Sequence, residues 1–383
     1  MQTELKRILG QNEWSRRDIA TLLDLSDPAD EALLFQRAYE VKRQQVGTRV
    51  YFRGLIELSN VCIKNCYYCG IRRANPDVDR YTLSEEEVLD AAAFAHRSRY
   101  GSIVIQSGER TDESFIAFVE HLVRRIREST NNELGITLSL GEQSESTYRR
   151  WQAAGAHRYL LRIETSNPGL YQTLHPQDHS FHVRLEALRT LYRLGYQVGT
   201  GVMIGLPGQT SEHLADDVAF FKEMDVAMIG MGPYIPHHGT PMNEAIPDWS
   251  ARKEEQLRRA LRMIAVVRIQ LKDVNIASTT ALQAIDPTGR EMGLQAGANI
   301  LMPNLTDTQY RTGYQLYDGK PCLDENATLC AGCLERRIAA IGETIGYGEW
   351  GVSPHYKKKK QSSSALSSGV SPSRSAVVSG SPL

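Results

Sequence analysis

The sequence predicts an α/β protein built as a (β/α)8 barrel of the TIM type, with an N-terminal helical extension and a disordered C-terminal tail. Three observations predict it. From Gly54 onward, short β-branched runs alternate with longer amphipathic stretches, the pattern of strand–helix units around a parallel sheet. Eight such runs can be counted, the number that closes this kind of barrel. At 383 residues, 41% hydrophobic and 23% charged, the chain can also bury one large core.

The elements follow in order. Residues 1–50 are helical in pattern and polar outside the repeat, suited to cover the open bottom of the barrel or to pack on its side. The barrel occupies 51–320. Its strands are expected at GLIELS (54–59), SIVIQS (102–107), GITLSL (135–140), RYLLRIE (158–164), QVGTGVMIG (197–205), VAMIGM (226–231), VNIAST (274–279) and ANILMP (298–303). Helix starts are legible between them. Ser84 with Glu87 three positions later forms a capping box before an apolar run, and Ser211 opens SEHLADDVAFFKEM in the same way. Residues 321–356 form a C-terminal segment carrying three cysteines. Residues 357–383, KKKKQSSSALSSGVSPSRSAVVSGSPL, are too rich in Ser, Gly and Pro to offset the entropy of ordering, and their lysines read as solvated.

A formal net charge of −1 and a pI near 6.8 give no overall attraction to nucleic acid or anionic lipid, so any substrate must be held in a local pocket. No stretch approaches the roughly 20 apolar residues needed to span a bilayer, and the N-terminus has no apolar run of signal-peptide length. The expectation is a cytoplasmic protein with neither membrane nor nucleic-acid partners. In a reducing compartment the six cysteines read as metal ligands or redox groups before disulfides.

CIKNCYYCG places Cys62, Cys66 and Cys69 in the loop after the first strand, at the mouth where barrel chemistry occurs. Zinc sites and electron-transfer clusters usually take four protein ligands. No fourth cysteine or neighbouring histidine stands in the sequence to complete a tetrahedron, so the choice lies between a metal site left open, a zinc knuckle and buried core thiols. The spacing C-x3-C-x2-C, with Tyr68 just before the last cysteine, resembles the radical S-adenosylmethionine superfamily. That resemblance implies a 4Fe-4S cluster on three thiolates, whose fourth iron takes the amine and carboxylate of S-adenosylmethionine for one-electron cleavage.

Other strand ends enter through the same resemblance. QSGE (106–109) is similar to the turn whose backbone receives the methionine amino group; it comprises Ser107, Gly108 and Glu109, with Ser107 where a glycine is common. Arg162 and Glu164, two apart at the end of the fourth strand, share one face toward the lumen. The resemblance gives an acid there the ribose hydroxyls and gives Arg184 the methionine carboxylate. Taken alone, Arg184 reads as a surface helix arginine. GVMIGLPGQT (201–210), with Met203, offers bare backbone for an adenine, or is only a tight turn.

Cys322, Cys330 and Cys333 make a second triplet, C-x7-C-x2-C. The two triplets use every cysteine, leaving none for a disulfide or for the sulfur-donating barrel cluster of biotin synthase. YFRGLIELSNVCIKNCYYCGIRR, VIQSGE, TLSLGE, GTGVMIGLPGQT, GPYIPHHGTP, IASTTALQ, GANILMPN and YRTGYQLYDGKPC, from about residue 50 to 335, resemble successive segments of the HydE family of iron-iron hydrogenase maturases. Some members carry an accessory cluster at the second triplet, 2Fe-2S or 4Fe-4S; a structural or adventitious zinc site is the alternative here. The resemblance implies a small organometallic substrate, iron bound to cysteine, carbon monoxide and cyanide, handed over by another maturase. The radical attacks the cysteine sulfur and frees an iron carbonyl cyanide unit. A reductant such as a ferredoxin or flavodoxin is implied too.

An anionic complex of that sort needs donors and positive charge. Candidates are Gln106, Thr137, Ser139, Arg158, Met231, Thr279, Thr280, Tyr314 and Tyr317, the two tyrosines three apart as on one helical turn. A methylornithine synthase-like mutase, a biotin synthase-like sulfur-insertion enzyme and a non-catalytic iron-sulfur scaffold are the other readings. The mutase would require an acid for its substrate's amine, and the scaffold would have no use for the cofactor turns.

Overall fold

A computed structural model describes residues 2–367 of the chain. In chain order the elements are α1 (Gln2–Leu9), α2 (Arg16–Leu23), α3 (Pro28–Gln45), β1 (Arg49–Ser59), α4 (Glu85–Arg97), β2 (Ser102–Ser107), α5 (Glu113–Ser129), β3 (Gly135–Ser139), α6 (Glu145–Ala154) and β4 (Arg158–Leu160). Then come α7 (Pro168–Leu174), α8 (Phe181–Arg193), β5 (Gln197–Thr200), α9 (Ser211–Glu223), β6 (Met228–Ile229), α10 (Trp249–Leu271), β7 (Asn275–Ile276), α11 (Thr280–Ile285), α12 (Gly289–Gln295) and β8 (Ile300–Leu301). The chain continues with α13 (Thr308–Arg311), α14 (Ala327–Ala340) and α15 (Pro354–Ser367).

Each of the eight expected runs coincides with one of these strands in whole or part, β1 beginning five residues before its run. All their pairings are parallel, in the order β8-β1-β2-β3-β4-β5-β6-β7. The two ends of this path meet. Asn299 N donates to Ile276 O and Ser278 N to Ile300 O, both at 2.9 Å, so the sheet curls into a ring with its helices outside. Helices that cover it are apolar on one side: α5 buries Phe115, Ile116, Val119, Leu122, Val123 and Ile126, each contributing up to about 1.5–3 kcal/mol relative to exposure.

Four details depart from the sequence reading. The fifth run is not one strand: a Cβ at Gly201 would stand 1.8 Å from the Gly230 carbonyl oxygen, and beyond this crossing Met203–Ile204 pairs with Gly232–Pro233 in a separate small sheet. The cap of α9 is Thr210, one residue earlier than expected; it forms a reciprocal box with His213 while Ser211 bonds Asp24 of the N-terminal region. The N-terminal helices take the second of their two expected placements, on the barrel's side, α2 on α9 and α3 on α10, with Arg16 paired to Asp216 and Arg262 to Glu31. The bottom is instead closed by the stretch after α14: Thr344–Ile345 pairs with the start of β1, and Arg53 and Asn275 both donate to Gly351 O.

Fourth, residues 357–367, expected to open the disordered tail, continue α15. Its side chains are fastened to the barrel: His355 and Lys359 reach Asp225, and Lys358 reaches Asp273. Ion pairs with acids on neighbouring loops supply what the polar composition lacks. The rest of the expected tail, 368–383, lies outside the described residues. Among those described, no helix is long and apolar enough to cross a membrane.

Candidate active site

β1 ends in a bulge between Glu57 and Ser59, which re-aims the chain just before the first cysteine triplet. The loop that follows is tied by one guanidinium. Arg80 donates to Asn60 O, Ile71 O and Arg72 O at 2.7–2.8 Å and to Asn75 O at 3.2 Å. The loop docks on the end of β2, where Gly108 N donates to Ser59 O at 2.8 Å and Ile63 N to Glu109 O at 2.9 Å. A Cβ at Gly108 would fall 2.4 Å from Val61 O and 2.8 Å from Cys62 Cβ, so only glycine allows this approach.

All six cysteines are free thiols. Burial pushes the Cys66 thiol up to about 12 and raises Cys69 as well. Cys62 is also raised by burial, although the backbone N–H groups of Glu109 and Lys64 donate to its sulfur at 3.3 and 3.4 Å. Such thiols keep their protons until a metal displaces them.

The triplet opens into a cavity of about 330 Å3 at the C-terminal ends of the strands, within the size range of small-molecule sites. Of the residues singled out in the sequence, Tyr68, Gln106, Ser107, Gly108, Glu109, Ser139, Arg162, Glu164, Arg184, Met203, Thr279, Thr280, Tyr314 and Tyr317 line it, with Cys62, Cys66 and Cys69. Tyr314 and Tyr317 do so from an irregular segment after α13, not from a shared helical turn.

Three others are placed elsewhere. Arg158 opens β4 rather than ending it. With Thr137, its β3 partner, it lines a smaller void with Arg53, Gln197 and Met228, nearer the bottom closure. Arg158 Nε donates to Gln197 Oε1 at 2.9 Å, while Nη1, Nη2 and Thr137 Oγ1 are buried without a hydrogen-bond partner among the described residues. Met231 is turned outward into the hydrophobic core between Gly230 and Gly232, which themselves line the cavity.

Charge in the cavity is arranged in pairs. Glu142 accepts from Lys64 Nζ at 2.8 Å and lies 2.7 Å from Arg184 Nε as an ion pair. Glu109 Oε2 accepts from Glu142 N at 2.9 Å, and its Oε1 stands 3.3 Å from Lys64. Burial raises the Glu109 carboxyl against the pull of Arg184; Glu142, also buried, is held below the usual carboxylate range by Arg184 and Lys64. Glu164 is half-buried and its carboxyl is raised by desolvation. Its Oε2 is 3.2 Å from Arg162 Nη2 but out of hydrogen-bond alignment, and it has no hydrogen-bond partner among the described residues; nor does Thr279 Oγ1. Buried oxygens of this kind are costly unless a ligand satisfies them.

Sequence reasoning passed over several residues here. Glu57 pairs with Lys320 Nζ at 2.5 Å and accepts from Asn304 Nδ2 at 3.0 Å. The signal for Glu57 was a charge inside an apolar strand; Lys64 and Glu142 were visible inside segments already singled out. His179 is a correction. It is remote in sequence from the triplet, yet its Nδ1 lies 3.9 Å from Cys66 Sγ, with His175 beside it.

The second triplet is away from the cavity. Cys330 and Cys333 stand one turn apart on α14, and Cys322, at φ +63°, faces Cys330. The hydrogen bond from Cys330, with help from Arg290, holds the Cys322 thiol below its usual range. Arg311 donates to Cys322 O and Glu325 O, binding this segment to the barrel.

Free thiols without disulfide partners, a glycine cradle beside Cys62, and an unsatisfied acceptor at Glu164 fit an iron-sulfur cluster with a hydroxyl-bearing cofactor. A sequence model of the radical SAM superfamily matches residues 56–221. Among solved structures, methylornithine synthase superposes with a TM-score of 0.76 at 23% identity, covering 90% of this chain and 98% of that one. The hydrogenase maturase HydG of Carboxydothermus hydrogenoformans gives 0.75 at 22%, covering 96% and 84%; at these identities both show the fold alone. The [FeFe] hydrogenase maturase subunit HydE of Thermotoga maritima is 42% identical over 349 residues, 91% of this chain and 96% of that protein. With that identity over that span, the chain belongs to the HydE family of radical SAM hydrogenase maturases.

Proposed function

We propose that this enzyme uses a 5'-deoxyadenosyl radical to act on an iron–cysteine carbonyl cyanide precursor of the iron-iron hydrogenase active site. One observation carries the reading. Three free thiols, Cys66 buried and Cys62 and Cys69 partly so, share one cavity at the C-terminal mouth of the barrel with the unsatisfied Glu164 carboxylate and a set of donors. Cys62, Cys66 and Cys69 would hold a 4Fe-4S cluster, which when reduced supplies the electron that cleaves S-adenosylmethionine. The chain's own residues do the rest. The turn Ser107–Glu109 and Arg184 receive the methionine end, Glu164 accepts from the ribose hydroxyls with Arg162 beside it as a donor, and Tyr68 and Met203 border the cofactor. The lining excludes water and aims the radical.

Gln106, Ser139, Thr279, Thr280, Tyr314 and Tyr317 border the remaining space and offer donors to an anionic substrate. Below them the guanidiniums of Arg53 and Arg158, with Thr137, are buried without an acidic partner among the described residues, which favours negative charge in the lower barrel. Glu57, the acid a mutase would need for its substrate's amine, is already neutralised by Lys320. Among the described residues, the cysteines that line the cavity are those of the first triplet, which disfavours a sacrificial sulfur-donating cluster. A ferredoxin- or flavodoxin-type reductant, other hydrogenase maturases as partners and a cytoplasmic setting belong to the same reading, as does an accessory cluster at Cys322, Cys330 and Cys333.

Anaerobic reconstitution tests it. The protein should bind about four irons at the first triplet and release 5'-deoxyadenosine on reduction with S-adenosylmethionine. Cys66→Ala should abolish the release; a variant that still releases it at the wild-type rate refutes the assignment. Formation of a carbonyl cyanide iron product from the synthetic precursor separates the maturase reading from the mutase.

A further inference from the structure

We propose that His179 is a positioning residue for the group held by the first triplet, its Nδ1–H donating a hydrogen bond to the sulfur of Cys66. The inference rests on the cluster reading above. The atoms lie 3.9 Å apart, at the outer reach of an N–H···S bond. The other side of the ring decides where the proton sits. Asn65 N–H donates to His179 Nε2 at 3.3 Å, so Nε2 is an acceptor and the single proton of the neutral imidazole is on Nδ1, facing the sulfur. Asp178 Oδ1 approaches Nε2 at 3.5 Å, but its side chain is 68% exposed and hydrated, whereas the Asn65 N–H is fixed by the loop.

The ring is not free to turn away. His179 is 6% exposed, and its backbone N–H donates to Pro176 O at 3.0 Å. His175 lies beside it with centroids 5.7 Å apart, itself held by Nδ1–H to Tyr171 O at 2.8 Å and by Tyr68 Oη at 3.4 Å from Nε2. The segment carrying both histidines is joined to the cysteine loop by Tyr67 N donating to Leu174 O at 2.9 Å. Cys62 thus draws its donors from the backbone, and Cys66 draws one from a side chain that substitution can remove.

A donor to a cluster sulfur favours the reduced, more negative state, and so raises the reduction potential. The test is an EPR-monitored redox titration of the reconstituted full chain as wild type, His179→Leu and His179→Asn. Leu removes the donor at similar bulk; the Asn amide nitrogen stands near the place of Nδ1. His179→Leu should move the midpoint negative by roughly a tenfold change in the reduction equilibrium, ~59 mV for one electron. His179→Asn should recover at least half of that.

Iron content and the EPR signal of the wild type judge the cluster reading independently of His179. With the cluster present, equal midpoints in all three proteins overturn the proposal, as does Asn shifting as far as Leu, which would make the effect one of packing. Should the Leu variant not retain its cluster, wild type grown on 15N-histidine decides. A weak nitrogen coupling to the reduced cluster that disappears in His179→Asn supports the bond, and its absence in the wild type overturns it.

Discussion

Glu164 carries the strain of the site. Its φ of +66° is in the left-handed region, where a residue with a Cβ costs on the order of 1–3 kcal/mol. The position is held by Glu164 N donating to Gly201 O at 3.0 Å and Glu164 O accepting from Met203 N at 3.1 Å. Replacing Glu164 with Gln keeps this backbone and exchanges a charged acceptor for a neutral one. S-adenosylmethionine affinity should fall by roughly 1–3 kcal/mol, read by equilibrium binding, with iron content unchanged. Unchanged affinity would place Glu164 outside the cofactor site. Parity along a strand put Arg162 and Glu164 on the lumen face, and both line the cavity. The same parity also admits Arg158, which is deeper in the barrel, because depth depends on where a strand begins and side-chain alternation carries no such information. The meeting of Lys64 with Glu142 and of Cys66 with His179 is a tertiary event between loops of different repeats, with no local pattern to announce it.

At the scale of elements, hydrophobic runs and caps located all eight strands and the start of α4, where Ser84 and Glu87 form the expected box. The break in the fifth run escaped because Gly201 is dictated by the neighbouring Gly230 carbonyl rather than by its own sequence context. Two elements beyond the barrel carry predictions. Changing Cys322, Cys330 and Cys333 together to Ala should remove any metal held there while leaving the iron at the first triplet and 5'-deoxyadenosine release in place, since the second triplet does not line the cavity. Loss of hydrogenase maturation with both retained would assign α14 to the substrate chemistry. The docking of α15 should depend on pH. His355 is raised above 6.5, first by its hydrogen bond to Asp273 and then by that to Asp225, so its contribution is full below about 6.5 and is lost as pH climbs through the raised value. Asp273, lowered to about 2 against its burial by His355 and Lys358, and Asp225, lowered likewise by Lys359 and His355, contribute above the ordinary carboxylate range and lose this on acidification. Protection of the amides in residues 354–362, taken as the observed exchange rate against the intrinsic rate at each pH, should therefore be greatest in mildly acidic solution and fall toward alkaline pH. His355→Gln should flatten the alkaline limb, and an unaltered profile would rule out this latch.

Across the whole molecule, the N-terminal helices and the segment after α14 are joined by one fully buried pair, Lys42 Nζ to Glu343 Oε1 at 2.5 Å, with Leu294 O accepting from the same amine at 2.9 Å. Lys42→Ala strands the carboxylate and should cost about 3–5 kcal/mol in urea unfolding, whereas Lys42→Met with Glu343→Leu should cost much less. Similar losses in the two proteins would show that volume, not charge, matters at this joint. The closure of the barrel has a further consequence, one of timing. β1 pairs with β2, its near neighbour, but also with β8, Tyr51 against Ile300. The three thiols after β1 are therefore synthesised long before the strand that completes the ring, and at ~5–20 residues per second the growing chain holds them at an unfinished seam for roughly 10–50 s. Until the ribosome releases residues 299–301, the mouth of the barrel lacks one wall. The interval in which the three thiols are most accessible from that side is thus set by the order of the strands and ends when the last of them arrives.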